Sequence, residues 1–369
     1  MKKVLSTLCI LLLLTGCSKQ KDNTYIPHKK TTYLGVISDI ENQMVIPLNT
    51  DVFIITTDNS NAEEMINDFN KTVVEYHKLF DSHHSYANIN NIKTINDNYG
   101  NGPIEVDEKI IDILKKAISL SIETNGYFNP TMGKISDVWK DLFNETHVNS
   151  DPSSEEVDKA MACVLNSDIL EDYIIIDDQK NTVELKKLEG CSTSVEVDLG
   201  AYSKGYVLDK AYESLLKYDT GFMLSAGSSS IITYVPERAI DLHFNIGLTN
   251  PNNPESMLGV IQVDNKAISS SGDYQQYFIN EEGVRRHHIL NPFTGYSENN
   301  YRGITLIADS DAGLLDAIST SIYSMSYDTL DENLTKVDLI KDINLNKLFI
   351  VENADGKLEI IKDEGITIE

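Results

Sequence analysis

Apolar residues recur at helical spacing in two long segments. Ala62, Met65, Ile66, Phe69, Val73, Tyr76 and Phe80 predict a helix over 61–80. Ile110, Ile111, Leu114, Ala117, Ile118 and Ile122 predict a second over 107–124, stopped by Asn125-Gly126. A third helix over 153–164 is marked by its start, with Ser153 or Ser154 as cap and glutamates in the first turn. Further helices are expected at 202–217, 312–325 and 330–341. Short β-branched or apolar runs predict strands at 51–57, 173–176, 183–185, 222–224, 242–246, 259–263, 304–308, 347–351 and 358–361. Asp81 to Asn96 fits neither period; rich in Asn, His and Ser, it reads as a structured loop. Strands and helices mix without strict alternation. That predicts an α+β fold of mixed or antiparallel sheets with packed helices, not a doubly wound parallel sheet.

The first residues follow a different pattern. Lys2-Lys3 precede an apolar stretch from Leu5 to Leu14 that is too short to span a bilayer, and it closes on Leu14-Thr15-Gly16-Cys17. This resembles a bacterial lipobox. The resemblance implies cleavage before Cys17, lipid on its thiol and a location outside the cytoplasmic membrane; an ordinary cleaved signal is the alternative. The expected organisation is a signal over 1–16, a polar tether over 17–40 and one folded unit over 41–369. The formal charge of -26, with no basic stretch, argues against nucleic acid as a partner and against lying flat on an anionic membrane. Beyond Cys9 and Cys17 only Cys163 and Cys191 remain, and spacing leaves open whether they pair or stay as buried thiols.

Five segments carry candidate chemistry. Asp198-Leu199-Gly200-Ala201-Tyr202-Ser203-Lys204-Gly205-Tyr206 leads into a helix, whose start offers N–H groups to anionic oxygens. Lys204 falls in the first turn, where the helix dipole disfavours a cation, so it needs an anion: a ligand phosphate, or Asp198. Gly126 to Gly133 (GYFNPTMG) is turn-rich, with two aromatics that could wall a planar ligand or simply be buried. Ser270-Ser271-Gly272-Asp273-Tyr274 reads as a hydroxyl-rich tight turn with a carboxylate. His287-His288 lead into a Pro292–Gly295 turn. Asp316 and Thr320 lie four apart on one face of a helix whose Leu314, Leu315, Ile318 and Ile322 place it in the core. Such oxygen ligands suit magnesium; an Asp capping its own helix is the plainer reading. Neither standard phosphate-binding loop, GxGxxG or GxxxxGK[ST], occurs.

In order and rough spacing, the runs DLGAYSKGY (198–206), GYFNPTMG (126–133), SGDY (271–274), HHILNPFTG (287–295) and DAIST (316–320) resemble the ApbE family, the FAD:protein FMN transferases. The resemblance implies an ApbE-like (T-fold-like) bilobal α+β domain. It implies Mg2+ held by the side chains of Asp316 and Thr320 and the carbonyl of Ala201. It implies FAD contacts at Asn129, Pro130, Thr131, Asp198, Lys204, His288 and Ile289. The implied reaction cleaves FAD and joins FMN through a phosphoester to a Thr or Ser hydroxyl of an acceptor flavoprotein, releasing AMP. The acceptor would be a membrane redox subunit or an extracytoplasmic flavoprotein. His288 is the expected base on the hydroxyl, with Asp273 as an orienting or alternative carboxylate. The chain departs from the family where many members have a Gly-Gly-Asp turn, having Ala226-Gly227-Ser228, and Tyr202-Ser203 replace smaller apolar residues. Two other functions stay in view: an FAD pyrophosphatase giving FMN and AMP, and a non-enzymatic flavin-binding lipoprotein.

Overall fold

The computed structural model describes residues 31–34, 37–40, 43–45, 47–57, 60–144, 150–227, 229–309 and 311–369, with side chains from 47 onward except that of Asn144. The expected signal and Cys17 lie outside the described residues, as does Ser228. At its centre is an eight-stranded sheet whose strands follow one another in space in chain order, every neighbouring pair antiparallel. We number them β1 (Thr31–Leu34), β2 (Val52–Thr56), β3 (Phe222–Ala226), β4 (Ser230–Tyr234), β5 (Ala267–Gly272), β6 (Gly303–Ala308), β7 (Asn346–Glu352) and β8 (Leu358–Lys362). The boundary expected at residue 40 is corrected: β1 pairs with β2, so the chain joins the sheet within the segment read as tether. Polarity misled there because an edge strand needs no apolar face.

Both faces of the sheet are covered. Six helices are labelled: α1 (Ala62–Phe80), α2 (Glu108–Glu123), α3 (Gly133–Asn144), α4 (Ser154–Met161), α5 (Ser203–Leu215) and α6 (Ala312–Tyr323). On one face Val52, Ile54, Leu224, Ile232, Leu306 and Phe349 join the main core with α1, α2, α5 and α6. On the other, Phe53, Ile55, Met223, Ile231, Ile268 and Ile350 pack with the hairpin Asn245–Thr249/Met257–Gln262. Burial on two sides explains why β2 is apolar without alternation. A third cluster, centred on Trp139 of α3, packs α3 and α4 against the hairpin Tyr277–Ile279/Arg285–His287.

Most expected elements are present, and the α+β expectation holds. Ser153 caps α4 in a capping box with Glu156. Four readings change. Helix α3 and strand β4 were not foreseen. The helix expected over 330–341 breaks into Leu330–Leu334 and a short 3-10 turn, Asp338–Ile340. Ser270-Ser271-Gly272 is not a tight turn but the end of β5. The Asn-rich stretch contains a helix, Ile92–Asp97, capped by Asn91. Asp81 organises what precedes it, accepting hydrogen bonds from Tyr86 (2.6 Å) and from the His83 and His84 amides (2.7 and 3.0 Å). Cys163 and Cys191 form a disulfide.

Candidate functional site

Helices α5 and α6 cross at their first turns. A Cβ on Gly205 would lie 2.2 Å from the Ala312 carbonyl oxygen, so this approach needs glycine. Each helix places a carboxylate on the other's start. Asp209 of α5 accepts from the amides of Ala312 (2.8 Å) and Gly313 (2.9 Å), while Asp316 of α6 accepts from the Gly205 amide (2.8 Å). The N–H groups there have no helical partner of their own, and the helix dipole favours the negative charge. The Gly205 amide, in the first turn of α5, is one of these groups, and Asp316 satisfies it.

Asp316 is 5% exposed. Its carboxylate also accepts from Ser230 at 2.9 Å (Oδ1) and 2.7 Å (Oδ2). Burial pushes its pKa up, opposed by the Lys204 charge and by hydrogen bonds from Ser269, Ser230 and Gly205. The Lys204 ammonium donates to the Gly200 carbonyl at 2.9 Å, and its charge lowers the Asp316 pKa. Asp198, the alternative, is used locally, accepting from the Gly200 amide at 2.8 Å. Thr320 is half-buried one turn beyond Asp316.

The adjacent histidines do different work. His287 is 0% exposed. The Ile289 amide donates to its Nδ1 (3.3 Å), so Nε2 carries the proton and donates to the Glu298 carbonyl (2.8 Å). Burial depresses its pKa to about 3. His288 points the other way and is exposed. The protein around it and then Lys204 push its imidazole down, to about 4. Water reaches the ring, so that full displacement is discounted; the neutral imidazole at neutral pH stands either way. Lys204 influences the titration of both Asp316 and His288, and its neighbour Gly205 bonds Asp316 directly.

Other expected residues are placed differently. Asn129 and Thr131 are buried and bond each other and residue 165: Asn129 donates to the Leu165 carbonyl (2.7 Å), and Thr131 accepts from the Leu165 amide (3.0 Å). The Pro130 carbonyl accepts from the Asp198 amide at 2.8 Å. Their bonds brace the loop against the 198–206 segment. Ile289 is buried in the main core. Phe128 is buried against Tyr202, which turns inward, leaving Tyr127 and exposed Phe293 as an edge-on aromatic pair at 5.0 Å. Asp273 is 1% exposed and is held by Arg302 (2.7 Å) and Arg285 (3.3 Å). Burial raises its pKa against the pull of both arginines, and no described hydrogen bond joins it to His288. A separate cavity of about 40 Å³, lined by Leu248, Thr249, Ser270, Tyr274 and Thr305, lies across the sheet from Asp316.

Sequence reasoning passed over Ser230, Ser269 and Gly205. The available signal was the run of serines at inward-facing strand positions, where apolar residues belong. Among the described residues no three His, Cys, Asp or Glu side chains gather as a metal site. One carboxylate, one hydroxyl and one carbonyl remain as donors. That all-oxygen set fits a hard cation that keeps several positions for water and phosphate.

A buried carboxylate held against the start of a neighbouring helix, beside an antiparallel sheet, marks the candidate site of this α+β protein. The chain belongs to the ApbE family, whose pattern matches residues 48–340. It is 24% identical over 250 residues to an FAD:protein FMN transferase of Treponema pallidum, covering 64% of this chain and 65% of that protein. It is 24% identical over 329 residues to one of Vibrio cholerae, covering 88% of each. Among solved structures, an ApbE protein of Thermotoga maritima superposes with a TM-score of 0.69 at 26% identity, over 89% of this chain and 96% of that one. The flavin transferase ApbE of Vibrio cholerae gives 0.67 at 18%, over 91% and 98%, a likeness of fold.

Proposed function

We infer that this chain is a flavinyltransferase that moves FMN from FAD to a serine or threonine hydroxyl of a partner flavoprotein, with AMP leaving. Support comes from the family and from one observation above the rest: Asp316 of α6 bonds the Gly205 amide at the start of α5, the residue next to Lys204. The hydroxyl oxygen forms a bond to the FMN phosphorus. The anhydride bond to the AMP phosphate breaks, its electron pair leaving with AMP, and the hydroxyl proton goes to the His288 imidazole. Lys204 offsets negative charge on the phosphates, and the start of α5 adds backbone N–H groups. Asp316, Thr320 and the Ala201 carbonyl would hold Mg2+, which when bound supplies Lewis acidity at the pyrophosphate oxygens. The buried braces at Asn129, Thr131 and Asp198 fix the loop that frames the flavin. Asp273 serves this reading by anchoring the hairpin that ends at His287.

The reading also puts the chain outside the cytoplasmic membrane, held through lipid on Cys17. Its support is the leader pattern and a disulfide that suits an oxidising compartment. Incubation with FAD, Mg2+ and an acceptor carrying the family's Asp-Gly-x-Ser/Thr-Gly-Ala-Ser/Thr motif, followed by mass spectrometry, tests the activity. A covalent FMN adduct supports transfer; free FMN and AMP without adduct would overturn it in favour of hydrolysis.

A further inference from the structure

The interface between the sheet and α6 is apolar except for one island. On β4, Ile232 faces the helices and joins the main core; Ser230, two residues earlier, faces the same side and bonds Asp316. On β5, Ala267 faces the helices, and Ser269 and Ser271 follow on that side. Ser230 and Ser269 sit directly opposite one another across the strand pair. From α6, Asp316 and Ser319 point into the same space. Ser319 Oγ lies 3.0 Å from Ser269 Oγ and 2.9 Å from Ser271 Oγ. A strand position that is 0% exposed, as Ser230 is, ordinarily carries a residue such as Val or Ile. A hydroxyl there gives up transfer free energy and needs a reason.

Asp316 supplies it. A buried carboxylate has about four acceptor positions and is costly where they go unused. Ser230 reaches both oxygens (Oδ1 at 2.9 Å, Oδ2 at 2.7 Å), the Gly205 amide donates to Oδ2, and Ser269 adds a further hydrogen bond. The chain also has Ala226-Gly227-Ser228 in the turn just before β4, where many family members carry Gly-Gly-Asp. The hydroxyl two residues beyond that turn is what reaches the carboxylate here.

We propose that Ser230 is a positioning residue for the cation site: its hydroxyl, beside Ser269 across the strand pair, fixes the orientation of the Asp316 carboxylate. This rests on the assignment of Asp316 as a cation ligand and deepens it. Partners that orient a metal ligand change affinity by about 10- to 100-fold when removed.

Calorimetric titration of the purified, FAD-free protein with Mg2+ alone tests the proposal without reference to turnover. Ser230→Ala should weaken binding about 10-fold or more while unfolding within a few degrees of wild type. Ser230→Thr, which keeps the hydroxyl on a residue suited to a strand, should recover most of the affinity. Ser271→Ala touches Ser319 but not Asp316 and should change affinity less than about threefold. Asp316→Asn separates the two levels of the argument. If it binds Mg2+ as wild type does, the cation assignment falls and this inference with it. If Asp316→Asn abolishes binding while Ser230→Ala leaves it intact, the inference alone is overturned. A Ser230→Thr protein that folds normally yet binds no better than Ser230→Ala also overturns it, since the hydroxyl would then not be what matters.

Discussion

Acidification separates the roles of His287 and His288. His287 is enclosed and neutral, with a pKa held to about 3 against an ordinary 6.5. A group whose folded pKa is depressed contributes stability above its unfolded pKa and loses it as the pH falls toward the folded value. For His287 the loss starts near 6.5 and runs down to about 3. At about pH 4.5, roughly two units below the unfolded value, this residue alone should have given up about 2.7 kcal/mol, at about 1.36 kcal/mol per unit. His287→Gln offers an amide N–H toward the Glu298 carbonyl but cannot titrate. Urea unfolding of both proteins at about pH 7 and about pH 4.5 gives the difference directly; wild type should lose about 2.5 kcal/mol more than the variant. Carboxylates protonate alike in both proteins and cancel. His288→Ala, whose lost ring was already hydrated, should show a much smaller difference. Equal pH losses in wild type and His287→Gln would refute the assignment of His287 as a buried neutral brace, and with it the reason for choosing its neighbour as the base.

His288→Ala should slow single-turnover FMN transfer by about 10²- to 10⁴-fold with FAD affinity nearly unchanged; equal losses in rate and affinity would make it a binding residue. Asp273→Ala removes the buried carboxylate from Arg285 and Arg302, leaving Arg302 to Glu352, and should cost about 1–3 kcal/mol in urea unfolding; a stable but inactive variant would restore it to the chemistry. Cys163→Ser opens a cross-link between positions 28 apart in sequence and should cost about 3.5 kcal/mol by loop closure. Since Leu165 braces Asn129 and Thr131, the same variant should also weaken FAD binding, read by fluorescence titration.

What sequence could and could not convey follows from where the polar residues sit. Helices α1 and α2 have one wet face and one dry one, so their period shows in the residues themselves. Helix α3 has the same period in Ile135, Val138, Trp139, Leu142 and Phe143. It emerges from the 126–133 turn on Gly133 with no polar cap before it, and its start was absorbed into the turn. Asp316 and Thr320 were legible because a helix fixes their spacing locally, and His288 because its motif is contiguous. Strands β4 and β5 misled for the opposite reason. On β5 the helix-facing positions hold Ser269 and Ser271, so neither alternation nor an apolar run is visible there; on β4 the serines ahead of Ile231-Ile232 make the start of the strand look like a turn. Those serines make sense only once α6, more than forty residues further on, sets Asp316 against them. Where local pattern and global fold disagree in this chain, the disagreement is a buried hydroxyl facing a buried carboxylate. A core that keeps such a pair at the expense of apolar packing breaks the local pattern that sequence reading depends on.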